Sequence, residues 1–399
     1  MNRDCDVLVV GAGVSGVPAA VAAARAGASV IVVEKRGAPG GAGVAALHQS
    51  ICGLYTSGNK APTAPLNGGI PAEICERLSA LSPDGAPVRI GRAYVLPYVN
   101  EHLEAVYADM IAGEKNLEVR YGALAVAAEQ ENGTIRAVTL RQGPDDDTVE
   151  PGVVIDCSGT GVMAEIAGVP FDVAAPEERQ LAGFTVRLSG VKGVDEALSV
   201  KVAYALKAVA DVDRLPGHLQ FSSLRGGGAG GAILKLSLPP GQAPGRRARA
   251  VSDVGLVCAA LAETLPEFAD ANIADAAEDV MDRDGRRLKG KYVLTEDDVL
   301  GARKFDDPAA RGAWPIEFWN QRTGPSYRYV PDGDWYEIPL RCLQSSTVKN
   351  LLCAGRCISA TAMALASTRV MGVCMALGAA AGKHAAHPFP RSMWPSRLR

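Results

Sequence analysis

The stretch that decides the fold is Asp6-Val7-Leu8-Val9-Val10-Gly11-Ala12-Gly13-Val14-Ser15-Gly16. Its first part is an apolar run, typical of a parallel strand that is buried on both faces. The glycines that follow have the spacing GxGxxG, in which the missing side chains let backbone N–H groups approach a pyrophosphate. An alanine-rich segment to about Arg25, Gly27 as its stop and a second apolar run ending at Glu34 complete a predicted β-α-β unit.

The position of Glu34 strengthens this interpretation. It lies 18 residues after Gly16, at the end of the second predicted strand, where the dinucleotide fingerprint requires an acceptor for the ribose hydroxyls. Gly11 and Gly13 are predicted to contact the pyrophosphate, with the partial positive charge of the helix N-terminus beside them. The sequence therefore predicts a bound dinucleotide, and the alternative is a purely structural turn.

Composition excludes several classes of protein. A chain of 399 residues predicts two or three structural units. With 48% hydrophobic and 21% charged residues it is neither disordered nor a coiled-coil rod, and its net charge of −3 without a long basic run argues against nucleic acid as a partner. The apolar run from Val7 to Ala24 contains glycines and Pro18, which favour a strand, turn and helix over a membrane span.

The nine cysteines predict a reducing compartment. They are odd in number and no signal peptide precedes them, so we expect no disulfide framework and a cytoplasmic location. Cys353 and Cys357 form a CxxxC pair, but neither a second close pair nor a histidine cluster accompanies it, and no metal site is predicted. Cys52 and Cys157 are best explained as small buried hydrophobic residues.

After Glu34 the chain departs from the pattern of an NAD dehydrogenase, which would continue with further β-α units. A long loop rich in glycine and proline follows, and then elements of different types. The predicted elements up to the middle of the chain are a helix from Pro97 to about Ala112, strands at 117–120, 124–129 and 136–141, a turn at Glu131-Asn132-Gly133, an acidic loop at 143–148 and a buried strand at 152–156.

The region from 170 to about 335 has a different character, with antiparallel strands and helices. The elements predicted here are strands at 184–191, 217–224 and 232–238, a flexible hairpin or lid at 226–231, and helices at 249–265 and about 273–281. The last segment returns to a short strand, Leu351 to Arg356, and a helix of small residues from about Gly372 to His384.

Five groups of residues resemble the glutathione-reductase-type flavoproteins, and look most like the FAD-dependent oxidoreductase family near the fumarate reductase flavoproteins and the flavin halogenases. The first two are the N-terminal motif with Val33-Glu34-Lys35, and the double glycine Gly40-Gly41. The others are Asp156-Cys157-Ser158-Gly159-Thr160-Gly161, the segment 292–299, and a C-terminal group made of 336–342, 354–359 and 369–382.

This resemblance implies an α/β fold with a glutathione-reductase-type, Rossmann-like FAD-binding domain and an inserted β-sheet-plus-helix domain. Residues 1–170 and 340–399 would form the FAD-binding domain and residues 171–339 the substrate domain, here called the cap. The resemblance also implies FAD as cofactor. The expected cofactor-binding residues are Gly11, Gly13, Val14, Ser15, Gly16, Glu34, Lys35, Gly40, Gly41, Ala42, Ala125, Ser158, Gly159, Gly355, Arg356, Met371, Gly372 and Val373.

Two residues are candidates for catalysis. His48 follows the double-glycine loop and could supply a proton near neutral pH, with a surface or packing role as its alternative. Arg369 could clamp a substrate carboxylate in bidentate fashion, with an ion pair to Glu337 or a phosphate contact as its alternatives. The family often has a histidine near Trp314–Asn320, and this chain has none there.

The function predicted from these observations is hydride transfer between a small organic substrate and N5 of FAD, with an unidentified electron donor or acceptor. A flavin monooxygenase or halogenase-like enzyme is an alternative, although the tryptophan-rich halogenase signature is only partly present at Trp335–Pro339. A further alternative is a non-catalytic FAD-binding electron carrier, which predicts an exposed flavin edge and no closed cavity under the cap. No membrane partner is expected.

Overall fold

The computed structural model describes residues 3–82, 85–226, 231–241 and 243–387. The strands of the described residues are β1 (Arg3–Val10), β2 (Val30–Glu34), β3 (Ser50–Ile51), β4 (Val88–Ile90), β5 (Ala93–Pro97), β6 (Leu117–Tyr121), β7 (Ala123–Glu131), β8 (Thr134–Gln142), β9 (Asp145–Asp156), β10 (Phe171–Asp172), β11 (Ala182–Ser189), β12 (Ser223–Gly226), β13 (Ala232–Leu238), β14 (Asn272–Ala276), β15 (Arg287–Leu288), β16 (Pro308–Gly312), β17 (Ile316–Asn320), β18 (Gly324–Arg328), β19 (Tyr336–Pro339) and β20 (Leu351–Cys353).

The helices are mostly short, and the longest belong to the middle and the end of the described chain. They are α1 (Gly16–Arg25), α2 (Ala42–Ala45), α3 (Ile70–Ala80), α4 (Asn100–Ala112), α5 (Val162–Ile166), α6 (Glu196–Ala210), α7 (Arg246–Ala262), α8 (Glu296–Leu300), α9 (Ala362–Thr368) and α10 (Met371–Ala385). Single 3-10 turns occupy Gly217–Phe221, Pro266–Phe268, Leu340–Cys342 and Gly355–Cys357.

The largest sheet has the strand order β6-β2-β1-β9-β8-β7, with β20 also paired to β9. The pairs β6–β2, β2–β1, β1–β9 and β9–β20 are parallel, whereas β7, β8 and the first part of β9 form an antiparallel meander. Strands from the first, second and last parts of the chain therefore meet in one sheet. The parallel, Rossmann-like α/β fold predicted from the first β-α-β unit is confirmed.

The two faces of this sheet are covered by different layers. Val7 and Val9 of β1 belong to a core that includes side chains of α1 and α10. Leu8 and Val10, which point to the opposite face, belong to a second core formed with the β7–β8 meander and α5. This burial on both faces explains why β1 is almost continuously apolar.

A second unit carries a four-stranded antiparallel sheet with the order β12-β13-β11-β14, called the cap sheet below. Its own core combines Phe184 and Leu234 of the sheet with residues of α6 and α7, such as Val202 and Val254. This core extends from residue 182 to 280. Leu294 and Tyr336, by contrast, belong to the same core as α1. The predicted domain boundaries stay a prediction, and the grouping of the cores leads us to propose a smaller cap unit at about 182–280.

Several predicted elements differ from the structure. Residues 273–281 do not form a helix: β14 occupies 272–276 and pairs with β11, because the exposed backbone edge of β11 offers a hydrogen-bonding partner that local periodicity does not reveal. The predicted strand at 217–224 begins as a 3-10 turn and becomes β12 only at Ser223.

Two further predictions concern loops. The acidic loop at 143–148 is wrong, since β9 begins at Asp145 and pairs these residues with β8. The lid predicted at 226–231 falls largely on residues 227–230, which lie outside the described residues. Helix α6, which the sequence analysis did not predict, begins at Glu196, where the Asp195 carboxylate accepts a hydrogen bond from Leu198 N at 2.7 Å.

Helix α10 is seated directly on the backbone of α1. A Cβ at Gly378 would overlap the carbonyl oxygen of Ser15, and a Cβ at Gly382 would overlap that of Ala19. Only glycine at these two positions permits this approach. The close packing also buries most of α10. Among the described residues, no single helix is long and apolar enough to cross a bilayer. Helices α9 and α10 taken together would be long and apolar enough, but the chain bends by 94° between them.

Replacing Gly378 with Ala is expected to destabilise the protein by about 1–3 kcal/mol, because the new methyl group must push α10 away from Ser15. The matched control is Gly255→Ala in α7, where a Cβ meets no other atom within 4 Å. That change should stabilise by about 0.5–1 kcal/mol, the usual gain of Ala over Gly inside a helix. Urea unfolding followed by circular dichroism measures both, and equal effects of the two variants would contradict the close packing.

Candidate active site

A cavity of about 1120 Å³ lies between the parallel sheet and the cap sheet. Its floor contains the turn after β1, the turn after β9 and the start of α10, and its roof contains residues of β11, β13 and the segment 278–286. Carboxyl ends of parallel strands are the usual place for ligands in open α/β sheets. The volume exceeds the range of about 300–1,000 Å³ typical of a pocket for one small ligand.

The floor is a cradle of backbone with no room for side chains. Gly11 has φ +102°, and a Cβ there would lie 2.8 Å from Cys157 O. Gly41 has φ +52°, and a Cβ there would lie 2.8 Å from the Cα of Gly13. The loop at Gly40 is tied to the turn by its N–H, which donates to Ala12 O at 2.8 Å. This cradle fits a dinucleotide, because its pyrophosphate needs close contact with backbone N–H groups.

Glu34 is buried at the cavity wall and holds the turn in shape. Its carboxylate accepts hydrogen bonds from Ala12 N at 2.7 Å and from Arg36 N at 2.9 Å. Each carboxylate oxygen can accept more than one hydrogen bond, so both retain lone pairs for ribose hydroxyls. The predicted acceptor therefore lies on the correct wall, and its contact to a ribose stays a prediction.

The expected cofactor-binding residues divide into two groups. Those that line the cavity are Gly11, Gly13, Val14, Ser15, Glu34, Lys35, Gly41, Ala42, Ser158, Gly159, Gly355, Arg356 and Met371. Those that do not line it are Gly16, Gly40, Ala125, Gly372 and Val373. Residues from the first, middle and last parts of the chain thus meet around one space.

The second group has structural roles. Gly16 and Gly40 allow tight turns, since a Cβ at either would overlap Gly11 O or the Val44 side chain. Ala125 is buried in the core under the β7–β8 meander. A Cβ at Gly372 would lie 2.6 Å from the backbone at Gly53 and Leu54, so this glycine permits close packing.

His48 lines the cavity as expected, but its electrostatic environment differs from that of a proton donor. Burial, together with Lys235, Arg283 and Arg369, lowers the pKa of His48 to about 3. The imidazole is therefore neutral near pH 7 and can offer a hydrogen bond but not an imidazolium proton. The Nδ2 of Asn100 donates to His48 O at 2.9 Å and holds this loop in place.

Arg369 also lines the cavity. Its Nη2 donates to Glu317 O at 2.9 Å and to Gln180 Oε1 at 3.3 Å. The alternative ion pair with Glu337 is wrong, because the Glu337 carboxylate instead accepts from Phe305 N and lies 4.0 Å from Arg311. Burial lowers the pKa of Arg369.

The sequence analysis did not identify three further residues of the site, which are Lys235, Arg283 and Glu317. Lys235 and Arg283 line the roof of the cavity, and both face the ring of Trp319. The distance to the ring centroid is 5.5 Å from Lys235 Nζ and 4.1 Å from the guanidinium carbon of Arg283. A sequence signal existed for Lys235, since it is the one charged residue in the apolar strand Ala232–Leu238. Burial and then Arg283 lower the pKa of Lys235 to about 7.

Glu317 is the carboxylate nearest to these cations. The indole Nε1 of Trp314 donates to its Oε2 at 3.0 Å, and that of Trp319 donates to its Oε1 at 2.8 Å. Burial alone would raise the pKa of Glu317, but Arg369, Lys235 and these two indoles lower it below the usual value. The carboxylate is therefore ionised and fixed in position. Among the described residues, no group of three or more His, Cys, Asp or Glu side chains is arranged to hold a metal ion.

The sequence profile of a family described as FAD dependent oxidoreductase matches residues 6–398. A digeranylgeranylglycerophospholipid reductase of Methanosphaerula palustris is 31% identical over 188 residues, 44% of this chain and 43% of that protein. A probable electron transfer flavoprotein-quinone oxidoreductase of Escherichia coli is 29% identical over 184 residues, 42% of this chain and 39% of that protein. These matches span less than half the length of either relative.

Solved structures share the fold. The anhydrotetracycline hydroxylase OxyS from Streptomyces rimosus superposes with a TM-score of 0.51 and 14% identity, covering 99% of this chain and 64% of that one. The Diels-Alderase PyrE3 of pyrroindomycin biosynthesis superposes with a TM-score of 0.53 and 13% identity, and the match covers 98% of this chain and 67% of that one. At these identities the likeness concerns architecture and does not transfer a reaction.

Replacing Glu34 with Ala is expected to weaken dinucleotide binding by about 1–3 kcal/mol, because Ala12 N and the ribose lose a buried acceptor. The control is Glu129→Ala on an exposed part of β7. Equilibrium dialysis of FAD against the stripped proteins measures both affinities. If Glu34→Ala bound FAD as tightly as the control, the fingerprint would be only a structural turn.

Proposed function

Because the chain belongs to the FAD dependent oxidoreductase family, we propose that this flavoenzyme transfers a hydride between a small organic substrate and N5 of its FAD. The observation that carries the proposal is the continuity of the cavity. The dinucleotide cradle at Gly11 and Gly41 shares one space with His48 and Arg369, beneath a roof made by the cap sheet. An electron carrier without a substrate would not need such a roofed cavity.

In this proposal Arg369 orients the substrate. Its Nη2 is fixed by Glu317 O and Gln180 Oε1, and its Nε has no hydrogen-bond partner among the described residues. A guanidinium held in this way keeps its remaining N–H groups pre-aligned for a planar acceptor. The cap sheet above it excludes water from the reacting groups and so strengthens their electrostatic interactions.

Lys235 is the better candidate for proton transfer. Its lowered pKa, about 7, leaves comparable amounts of the ammonium and the neutral amine at physiological pH, as general acid–base catalysis prefers. The pKa of His48, at about 3, is too far below neutrality for that role. We assign His48 instead to hydrogen bonding with a neutral imidazole.

The cysteines support a reducing compartment, and we propose the cytoplasm. All nine are free thiols in the structure. The pKa of Cys52 is raised to about 12 by burial, so this residue is a protonated thiol and not a ready nucleophile.

Purified protein is expected to be yellow, and acid precipitation should release FAD because the cradle holds the dinucleotide without a covalent bond. Visible spectra and chromatography of the supernatant measure this. Anaerobic mixing with NADH, NADPH and a panel of small organic acids and alcohols then identifies the reductant by loss of flavin absorbance. Colourless protein with affinity only for NADH would overturn the FAD assignment.

Replacing Arg369 with Lys should leave FAD content unchanged but slow flavin reduction by at least about tenfold, since an ammonium cannot reproduce a planar two-donor clamp. The control is Arg249→Lys on the exposed surface of α7. The rate of flavin reduction per bound FAD, with whichever substrate the screen identifies, is the measurement. A normal rate in Arg369→Lys would remove this residue from the site, whereas lost FAD would assign it to cofactor binding.

A further inference from the structure

Two cations of the cap converge on one point of the cavity roof. Lys235 comes from β13 and Arg283 from the segment after Met281, and Gly183 of β11 lies between them. A Cβ at Gly183 would lie 3.2 Å from Lys235 Cε and 3.5 Å from Arg283 Nη2. The absence of a side chain at Gly183 therefore makes room for both. Their shared contact with the Trp319 ring fixes the same convergence from the other side.

Arg369 adds a third cation from a different wall. It precedes α10, and its Nη2 donates to the backbone of Glu317, two residues before Trp319. The charge of Arg369 lowers the pKa values of both Lys235 and Arg283, after the effect of burial. We call Lys235, Arg283 and Arg369 the cation cluster.

No carboxylate of the described residues forms an ion pair with a member of the cation cluster. Glu317 is nearby and ionised, so it offsets one of the three positive charges, and both of its oxygens accept indole N–H groups. Three acidic residues elsewhere on the cavity wall have cations of their own: Asp282 pairs with Arg246, Asp284 with Arg287, and Glu278 with Arg36. The cluster therefore carries more positive charge than its surroundings balance, in a buried place where such charge is costly.

Two N–H donors of the cluster are buried without a hydrogen-bond partner among the described residues. Arg283 is only 6% exposed, yet its Nη2 has no partner among the described residues, while its Nη1 donates to Leu181 O. The Nε of Arg369 is likewise buried and without a partner there. Buried N–H groups are nearly always satisfied in native proteins. These two N–H groups have almost no accessible surface, so an acceptor in the cavity reaches them only when the guanidinium groups turn toward it.

We propose that the cation cluster is a subsite for a carboxylate, and that the substrate of this enzyme is an organic acid. This inference rests on the proposed function, which it extends by naming the class of substrate. A carboxylate supplies both the negative charge and the several lone pairs that the cluster lacks, and guanidinium groups match its planar geometry. The cluster lies under the cap, whereas the backbone cradle for the pyrophosphate lies on the floor at Gly11 and Gly41.

The test uses the FAD-loaded protein and four probes: succinate, benzoate, benzamide and inorganic phosphate. Tryptophan fluorescence and isothermal calorimetry measure binding without any turnover. We expect the carboxylates to bind at least about tenfold more tightly than benzamide, because charge-assisted hydrogen bonds are replaced by weaker neutral ones. Benzamide binding as tightly as benzoate, or phosphate binding more tightly than both acids, would overturn the proposal.

Two variants locate the binding. In Lys235→Met and Arg283→Met we expect at least about tenfold weaker binding of succinate, with unchanged FAD content. Lys235→Met should also melt at the same or a higher temperature without ligand, since it removes a buried charge that its neighbours repel. The control is Lys115→Met at an exposed position. Loss of FAD from Lys235→Met would assign the cluster to the pyrophosphate and overturn the proposal, as would wild-type affinity for succinate in both variants.

The pH dependence gives an independent readout. The groups that act on Lys235 are Arg283, Glu317, Arg225 and Arg369, and together with burial they set its pKa at about 7. A bound anion favours the ammonium form, so affinity should be full below pH 7 and fall as the pH rises through 7 to 8, with proton uptake on binding. Lys235→Met should lose this dependence. The same slope in both proteins would contradict the role of Lys235.

The outcomes separate this inference from the proposed function. If the holoenzyme binds succinate or benzoate through the cluster but no reductant or substrate ever changes the flavin absorbance, the proposed function fails and the subsite stands. If a neutral substrate reduces the flavin while no carboxylate binds, the proposed function stands and the subsite is wrong.

Discussion

The fold depends on close backbone packing around the turn that follows β1. The loop at Gly41 touches Gly13, the end of β9 touches Gly11 through Cys157, and α10 is seated on Ser15 and Ala19 through Gly378 and Gly382. These contacts join segments that lie up to several hundred residues apart in the chain. A dinucleotide cradle made almost wholly of backbone needs this arrangement, because any side chain at these positions would separate the segments or fill the space.

The cavity is formed between two separate hydrophobic cores. The floor belongs to the core of the parallel sheet. The roof belongs to a separate core, which is formed by the cap sheet together with helices α6 and α7. Each unit is stabilised by its own apolar contacts, so the polar residues between them, such as Lys235 and Arg283, do not have to contribute to either core. This separation allows a charged interior surface in a protein whose cores are apolar.

Local sequence patterns predicted the parts of the fold that local physics controls. The strand, turn and helix from Val7 to Arg25 follow from burial on both faces and from the glycine spacing, and Glu34 follows from its place at the end of β2. The strand β14 was mistaken for a helix, because pairing with β11 is a long-range contact. His48 and Arg369 were chosen as candidates from the sequence, and both line the cavity. The neutral state of His48 depends on cations that come from β13 and from residue 283, and no spacing in the sequence reveals that convergence.

The electrostatics of the cavity form one coupled system. Lys235, Arg283 and Arg369 each lower the pKa of His48. Arg283 and Arg369 also lower the pKa of Lys235, and Arg369 lowers that of Arg283, while Glu317 acts in the opposite direction. A negative charge placed among them opposes all of these shifts at once, so it favours the ammonium form of Lys235 most, because that group is closest to its titration range at neutral pH. The entry of an anion is therefore coupled to the uptake of a proton by Lys235. In the proposed reaction this would bring a proton to the place where the anion arrives, as a hydride transfer needs when its product must be protonated.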